Sequence, residues 1–167
     1  MIRKVYGLIK RTRATGKEMR IFIDADACPV AVKEILFRSA ERLSIPLVLI
    51  ANQKINFPQS DYISGIVVEA GPDIADDRIA ELAEEGDLVI TADIPLADRV
   101  ISKRAHAINP RGEIYSAENI KERLAVRDLM ADLRDGGMET GGPRAFSAAD
   151  RKAFADQLDR FLTKNLR

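Results

Sequence analysis

The sequence predicts an α/β protein built on a mostly parallel sheet with helices on both faces. Three observations carry this. Near-continuous apolar runs recur along the chain as "RIFID" (20–24), "PLVLIA" (46–51), "GIVVEA" (65–70) and "DLVITAD" (87–93), as strands covered on both faces do. Amphipathic helical stretches separate most of them. Acidic residues stand where the strands end, at the rim on which parallel sheets carry their ligands.

Each element has its own signal. "RIFID" reads as a buried strand. "PVAVKEILFRSAERL" (29–43) reads as a helix, with Pro29 suited to its first turn and Val32, Ile35, Leu36, Ser39, Ala40 and Leu43 on one face. "PLVLIA" and "GIVVEA" follow as strands. "IADDRIAELAEE" (74–85) is a helix that turns Ile79, Leu82 and Ala83 inward and stops at Gly86. "DLVITAD" is the clearest strand, and "PLADRVISKR" (95–104) a short helix after it. "AHAIN" (105–109) and "EIY" (113–115) read as short strands, and "SAENIKERLAVRDLMADLR" (116–134) as a long helix capped by Ser116. The Gly-rich stretch 135–146 is a loop. Ser147 and Asp150 then form a capping box for a C-terminal helix over about 147–165, whose stripe of Phe154, Leu158, Phe161 and Leu162 docks on the body.

At 167 residues, 46% apolar and 31% charged, the chain is long enough for a sizeable core and is not of disordered composition. Its one cysteine excludes an intrachain disulfide, and no apolar run reaches membrane-spanning length. A cytoplasmic location, with neither membrane nor disulfide-linked partner, is expected. Net charge is zero but uneven: residues 1–18 hold six Lys/Arg against Glu18, leaving 20 basic and 25 acidic side chains in residues 19–167. An acidic body is not the footprint of a non-specific nucleic-acid binder. Residues 1–18 are expected to be a weakly ordered basic extension and residues 19–167 a single domain.

The acids are the main functional signal. Asp24 ends the first strand and Asp26 follows it; Asp93 ends "DLVITAD", and Asp98 lies in the helix beyond. Asp73, Asp76 and Asp77 lead the helix before that strand. In a parallel sheet these positions share one rim. Clustered carboxylates repel, and hard divalent cations with oxygen ligands offset that repulsion. Mg²⁺ fits such a set, and two ions roughly 3.5–4 Å apart suit phosphodiester hydrolysis. Zinc fits poorly, because Cys28 and His106 are the only soft ligands and have no zinc spacing. Asp26 and Asp73 serve equally well as helix caps, and Asp76 and Asp77 complement a helix N-terminus. Asp24 and Asp93, as strand-end acids, are expected to have no capping work.

"IFIDADACPV", "GPDIADDRIAELAEEGDLVITADIPLADRVI", "INPRGEIYSAENI" and "GGPRAFSAADRKAFADQLDRFL" together resemble the YaiI/YqxD family of bacterial proteins, over essentially everything from Met19 onward. That family is grouped with the PIN-like nucleases. The looser resemblance implies a three-layer α/β/α sandwich and an acidic site dependent on Mg²⁺ or Mn²⁺. Carried over, the acids are Asp24, Asp76 or Asp77, and Asp93 with Asp98; Asp26 is an additional ligand. The doubled Asp24-Ala-Asp26 followed by Cys28-Pro29 departs from typical PIN nucleases. The implied activity is phosphodiester hydrolysis with RNA as the candidate partner. Asn52, Lys54, Thr91, Arg99 and Arg144 are the candidate substrate contacts, with Arg78 beside them.

Rival readings stay open at this stage. A strand ending Asp-x-Asp also opens the haloacid-dehalogenase phosphatases, with Asp24 as nucleophile, although no Ser/Thr and Lys follow in the order they need. Cys28 sits near a helix start, which favours a thiolate, but packing beneath the site is the simpler role. His106, in a short strand, reads as a buried or satisfied histidine. A metal-binding or RNA-binding domain without catalysis fits the acids equally.

Overall fold

Ile21, Phe22 and Ile23 have no exposed surface, because alternate side chains of a strand point to opposite faces and both faces of this sheet are covered. Ile21 and Ile23 enter one core, and Phe22 enters the other. The computed structural model, which describes residues 18–139, 141–142 and 144–166, shows an α/β protein of three layers. Its elements run β1 (Ile21–Asp24), α1 (Val30–Leu43), β2 (Leu47–Ala51), β3 (Ile63–Val67), α2 (Ile74–Leu82), β4 (Leu88–Ile90), α3 (Ile94–Ser102), β5 (His106–Ile108), β6 (Ile114–Tyr115), α4 (Ile120–Asp135) and α5 (Ala148–Asn165).

The sheet order is β3-β2-β1-β4-β5-β6. All neighbouring pairs are parallel except β5 with β6. The chain first steps outward from β1 to β2 and β3, then crosses back to β4. Its order therefore reverses between β1 and β4, which opens a crevice beyond their C-terminal ends. α1 and α5 cover one face with Val32, Leu36, Phe154 and Leu158, while α2 and α3 cover the other with Ile79, Leu96 and Val100.

Helix ends follow local chemistry. α1 starts after Pro29, whose carbonyl accepts from the N–H groups of Val32 and Lys33, and it ends at Ser44 in the left-handed region. The capping box of α5 is present, with Ser147 and Asp150 bonding each other's backbone N–H. Phe154, Leu158, Phe161 and Leu162 are buried as their spacing predicts. Gly112, at φ +97°, lets the β5–β6 turn lie against α5; a Cβ there would fall 2.7 Å from the Ala153 backbone.

Several boundaries differ from the sequence reading, among them α2, which ends at Leu82 and not at 85, and β4, which ends at Ile90 and not at 93. The long helix begins at Ile120, not at Ser116. Ser116 N–H donates to Asn119 Oδ1 and Asn119 N–H donates to Ser116 Oγ; this closed turn precedes the helix. The third strand spans Ile63–Val67, earlier than 65–70, set by its register against β2. Of the expected N-terminal extension, residues 1–17 lie outside the described residues; Glu18 is exposed and Met19 is buried. Among the described residues no helix is long and apolar enough to cross a membrane.

Candidate functional site

The crevice between β1 and β4 brings together acids from three elements. Asp24 is the last residue of β1, and its Oδ1 accepts the N–H of Asp26 at 3.1 Å. Asp93 follows β4 and caps α3: its Oδ1 accepts from Leu96 N–H at 2.8 Å, while its own N–H donates to Thr91 Oγ1 at 2.9 Å. The expectation that Asp93 does no capping is thus overturned. The strand ends at Ile90, so Asp93 falls at the helix start, where one oxygen is used and the other stays available. Asp76 projects from the first turn of α2. Asp73 stands at the N-cap of α2 with φ 62° and makes no side-chain cap bond; its left-handed backbone turns the carboxylate out of the capping position and toward the rim.

Asp73, Asp76 and Asp93 each place a carboxylate oxygen within 4.8 Å of the others. Asp24, Cys28, Asp76, Thr91, Asp93 and Pro110 line a cavity of about 130 Å³, room for a few waters or a partly hydrated ion at about 30 Å³ per water. No lining residue is basic. Burial, then the charges of Asp93 and Asp24, a hydrogen bond with Asp93 and the charge of Asp73 push the Asp76 carboxyl up to about 7. Burial also raises Asp24, against hydrogen bonds from Asp26 and Ala27 that lower it; the charges of Asp26 and Asp93 add to the rise. Cations contribute to neither shift.

The other candidate residues have different surroundings. Asp26 is exposed; its oxygens accept from Asn52 N–H at 2.7 Å and Gln53 Nε2 at 3.3 Å, tying the β1–α1 turn to the end of β2. It caps no helix. Asp77 points away from the cavity into an ion pair with Arg99 at 2.6 Å. Asp98 lies one turn along α3 and pairs with Lys121 of α4 at 2.9 Å. Both expectations put every acid of the region on one face, but a helix turns successive residues by about 100°, so Asp76 and Asp77 diverge. Arg144 forms a two-pronged pair with Asp150, whose carboxylate also takes Arg111. The Arg144 guanidinium foremost, then the Ser147 N–H, holds the Asp150 carboxyl well below the usual carboxylate range. Arg144 is thus part of the clamp that starts α5. Thr91 stays at the cavity wall. Lys54 is exposed and lines, with Asn56, Phe57, Gly65 and Val67, a recess of about 190 Å³ at the β3 edge.

Cys28 is buried, and desolvation pushes its thiol up to about 12, so it is a packing residue. His106 lies at the start of β5, away from the rim. It packs edge-on against Phe161 at 4.9 Å, and burial lowers its pKa. Sequence reasoning left Asp73 between a capping role and the rim and did not count it among the ligands; the Gly71-Pro72 turn before it was the signal available for its reorientation. Pro110, in the cavity wall, had no signal of its own.

Fold and site together define a doubly wound α/β protein with an acidic pocket at the switch point of its sheet. Residues 22–164 match the model of the family described as "Uncharacterized BCR, YaiI/YqxD family", and the chain belongs to that family. It is 59% identical to a UPF0178 protein of Hahella chejuensis over 146 residues, 87% of this chain and 97% of that one. It is 58% identical to a UPF0178 protein of Dechloromonas aromatica over the same shares of the two chains. Among solved structures, homospermidine synthase from Legionella pneumophila in complex with NAD is similar at 17% identity and a TM-score of 0.43, over 85% of this chain and 38% of that chain.

Proposed function

We propose that this chain is a divalent-cation-dependent phosphodiesterase of PIN-like type, with Mg²⁺ or Mn²⁺ as the ion and RNA as the substrate. The observation that carries the reading is the convergence of Asp73, Asp76 and Asp93 within 4.8 Å, beside Asp24, in a pocket whose lining holds no basic residue. Such a set is all oxygen and all acidic, the donor chemistry that hard cations take. Asp73, Asp76 and Asp93 would hold the ion, with Asp24 facing the same space. A bound ion supplies Lewis acidity toward a phosphoryl oxygen and a water of lowered pKa.

The chain's own residues prepare this chemistry. Leu96 N–H and Thr91 fix Asp93. Asp76, poised near 7, gives up its proton when a cation competes for its oxygens. Asp24, with its raised affinity for a proton, is placed to take one from an attacking water. Lys54 and Asn52 at the end of β2, and Arg99 outside the cavity, are the candidate contacts for the polynucleotide backbone. The acting unit is proposed to be one domain, residues 19–167, in the cytoplasm, a setting that suits a single buried cysteine. A phosphoryl-aspartate mechanism is less well supported, because Asp26, its proton donor, is bonded to Asn52 and Gln53.

The test is cleavage of single-stranded RNA, structured RNA and phosphomonoesters with Mn²⁺ present, for wild type, Asp76→Asn and Asp93→Asn. Loss of an outer partner alone costs a metal site 10- to 100-fold, so loss of a ligand is expected to cost at least about 100-fold in rate. Activity on phosphomonoesters alone, with a trapped phosphate on Asp24, would transfer the assignment to a phosphatase.

A further inference from the structure

Once a cation and its waters fill the acid cavity of about 130 Å³, the bases of a bound polynucleotide have to sit elsewhere. A second concavity lies near the same rim, at the β3 edge of the sheet. It measures about 190 Å³ and is lined by Lys54, Ile55, Asn56, Phe57, Gly65 and Val67. Drug-sized ligands take roughly 300–1,000 Å³, so this recess suits a single ring system. Two hydrogen bonds lead toward it from the acids: Asp26 N–H donates to Asp24 Oδ1, and Asn52 N–H donates to Asp26 Oδ2. β3 stands two strands from β1, roughly 10 Å across the sheet.

The walls of the recess divide by chemistry. Phe57 is half-buried and packs on the core, with its ring on the strand backbone: a Cβ at Gly65 would fall 2.8 Å from Phe57 Cε1. The missing side chain at Gly65 thus seats the ring against the sheet. Ile55 and Val67, the latter 48% exposed, add apolar surface. Lys54 is the one charged residue of the lining. Lys54 and Asn56 are exposed, and neither the ammonium nor the side-chain amide has a partner among the described residues. A seated aromatic ring beside a free cation and a free amide is the combination that binds an unstacked base with its phosphate. Sequence reading placed Lys54 among the substrate contacts and gave Phe57 no role.

We infer that this recess is a base subsite for single-stranded RNA. It takes one unstacked base against Phe57, with Asn56 at the edge of the base and Lys54 on the adjoining phosphate. The subsite presupposes RNA as the substrate proposed for the acid pocket, and adds where that strand is held. Charge fits this occupant, because the single ionised group of the lining is a cation and the ligand an anion. A duplex keeps its bases stacked inside the helix and has none to offer, so the recess selects single strands.

The test reads binding rather than cleavage. Fluorescence anisotropy of a labelled oligo(U) of about ten nucleotides is followed in chelator, where no cation-dependent cleavage intervenes. Wild type is expected to bind this strand at least about fivefold more tightly than an RNA duplex of the same length, one stack's worth. Phe57→Leu is expected to weaken binding by about 5- to 150-fold, the range measured for one base–aromatic stack. Lys54→Gln, a change at an exposed position, is expected to lower the salt dependence by about one phosphate contact. Far-ultraviolet circular dichroism checks that both variants are folded, and Lys54→Gln decides alone if Phe57→Leu is not. A wild type that binds no oligo(U), a duplex bound as tightly, or a folded variant that binds as wild type does with the same salt dependence, overturns the subsite. RNA held through Phe57 and Lys54 but left intact when Mn²⁺ is added keeps the subsite and overturns the phosphodiesterase. Cleavage by a chain whose binding ignores both substitutions does the reverse.

Discussion

The two ends of the sheet handle buried acid in opposite ways. At the end where the strands begin, Asp87 is buried against Arg20, with side-chain exposures of 3% and 2%. Its oxygens also accept from Arg20 Nε, Arg20 N–H and Glu84 N–H, while Arg20 Nη2 reaches the Leu82 carbonyl. Both carboxylate oxygens there have mates within the chain. At the end where the strands finish, Asp24, Asp76 and Asp93 face one another with no cation in the cavity lining, and burial and mutual repulsion raise Asp24 and Asp76. The first arrangement holds the fold. The second works against it, and is the one proposed to take a cation.

That contrast is most exposed to test at its satisfied end. Arg20→Met leaves Asp87 buried and unpaired, and removing one member of such a pair costs about 3–5 kcal/mol; urea denaturation is expected to show a loss of that size. Gly112→Ala forces a Cβ into the Ala153 backbone at a φ of +97°. It is expected to cost about 2 kcal/mol and to loosen α5, seen as faster amide exchange there.

The rim is expected to behave in the opposite sense. Asp76 has its folded pKa at about 7, above the ordinary 3.8. The folded state therefore holds the proton more tightly, and the stability this contributes is fully present below about pH 4 and is lost as pH rises through 7. In chelator at pH 8, Asp76→Asn is expected to be more stable than wild type, by on the order of 1–2 kcal/mol after solvent screening of this half-buried group. The gain should vanish toward pH 4. A destabilised Asp76→Asn at pH 8 would mean that the rim acids are satisfied after all. Asp150 has the reverse sign: its lowered pKa gives stability at neutral pH that fades as the solution is acidified below the ordinary carboxylate range. Asp150→Asn is expected to lower Tm at pH 7, with the deficit shrinking at acid pH. Smallest is Arg99→Ala, which removes an exposed pair with Asp77 and is expected to change stability by under about 1 kcal/mol.

Much of this was legible in the chain. Continuous apolar strands announced a sheet covered on both faces, and strand ends rich in acid announced the rim. Side-chain direction was not legible. Asp93 sits at a helix start because β4 is only three residues long, and Asp98 turns outward because α4 offers Lys121. Asp73 leaves its capping position because its backbone is left-handed. Arg144 looked available in a Gly-rich loop, but its partner Asp150 lies in a helix that packs back onto the same loop. Each of these depends on which element lies alongside, which spacing along one chain does not encode.

The central claim is that the unpaired acids of the rim exist to hold a divalent cation, and Mn²⁺ titration calorimetry addresses it directly. Wild type is predicted to bind, with affinity rising with pH until Asp76 is deprotonated near 7. Asp76→Asn and Asp93→Asn are predicted to bind at least about 100-fold more weakly, while Asp98→Asn, set apart by Lys121, binds as wild type does. A wild type that takes up no Mn²⁺ at pH 8, or rim variants that bind it equally well, would contradict the account.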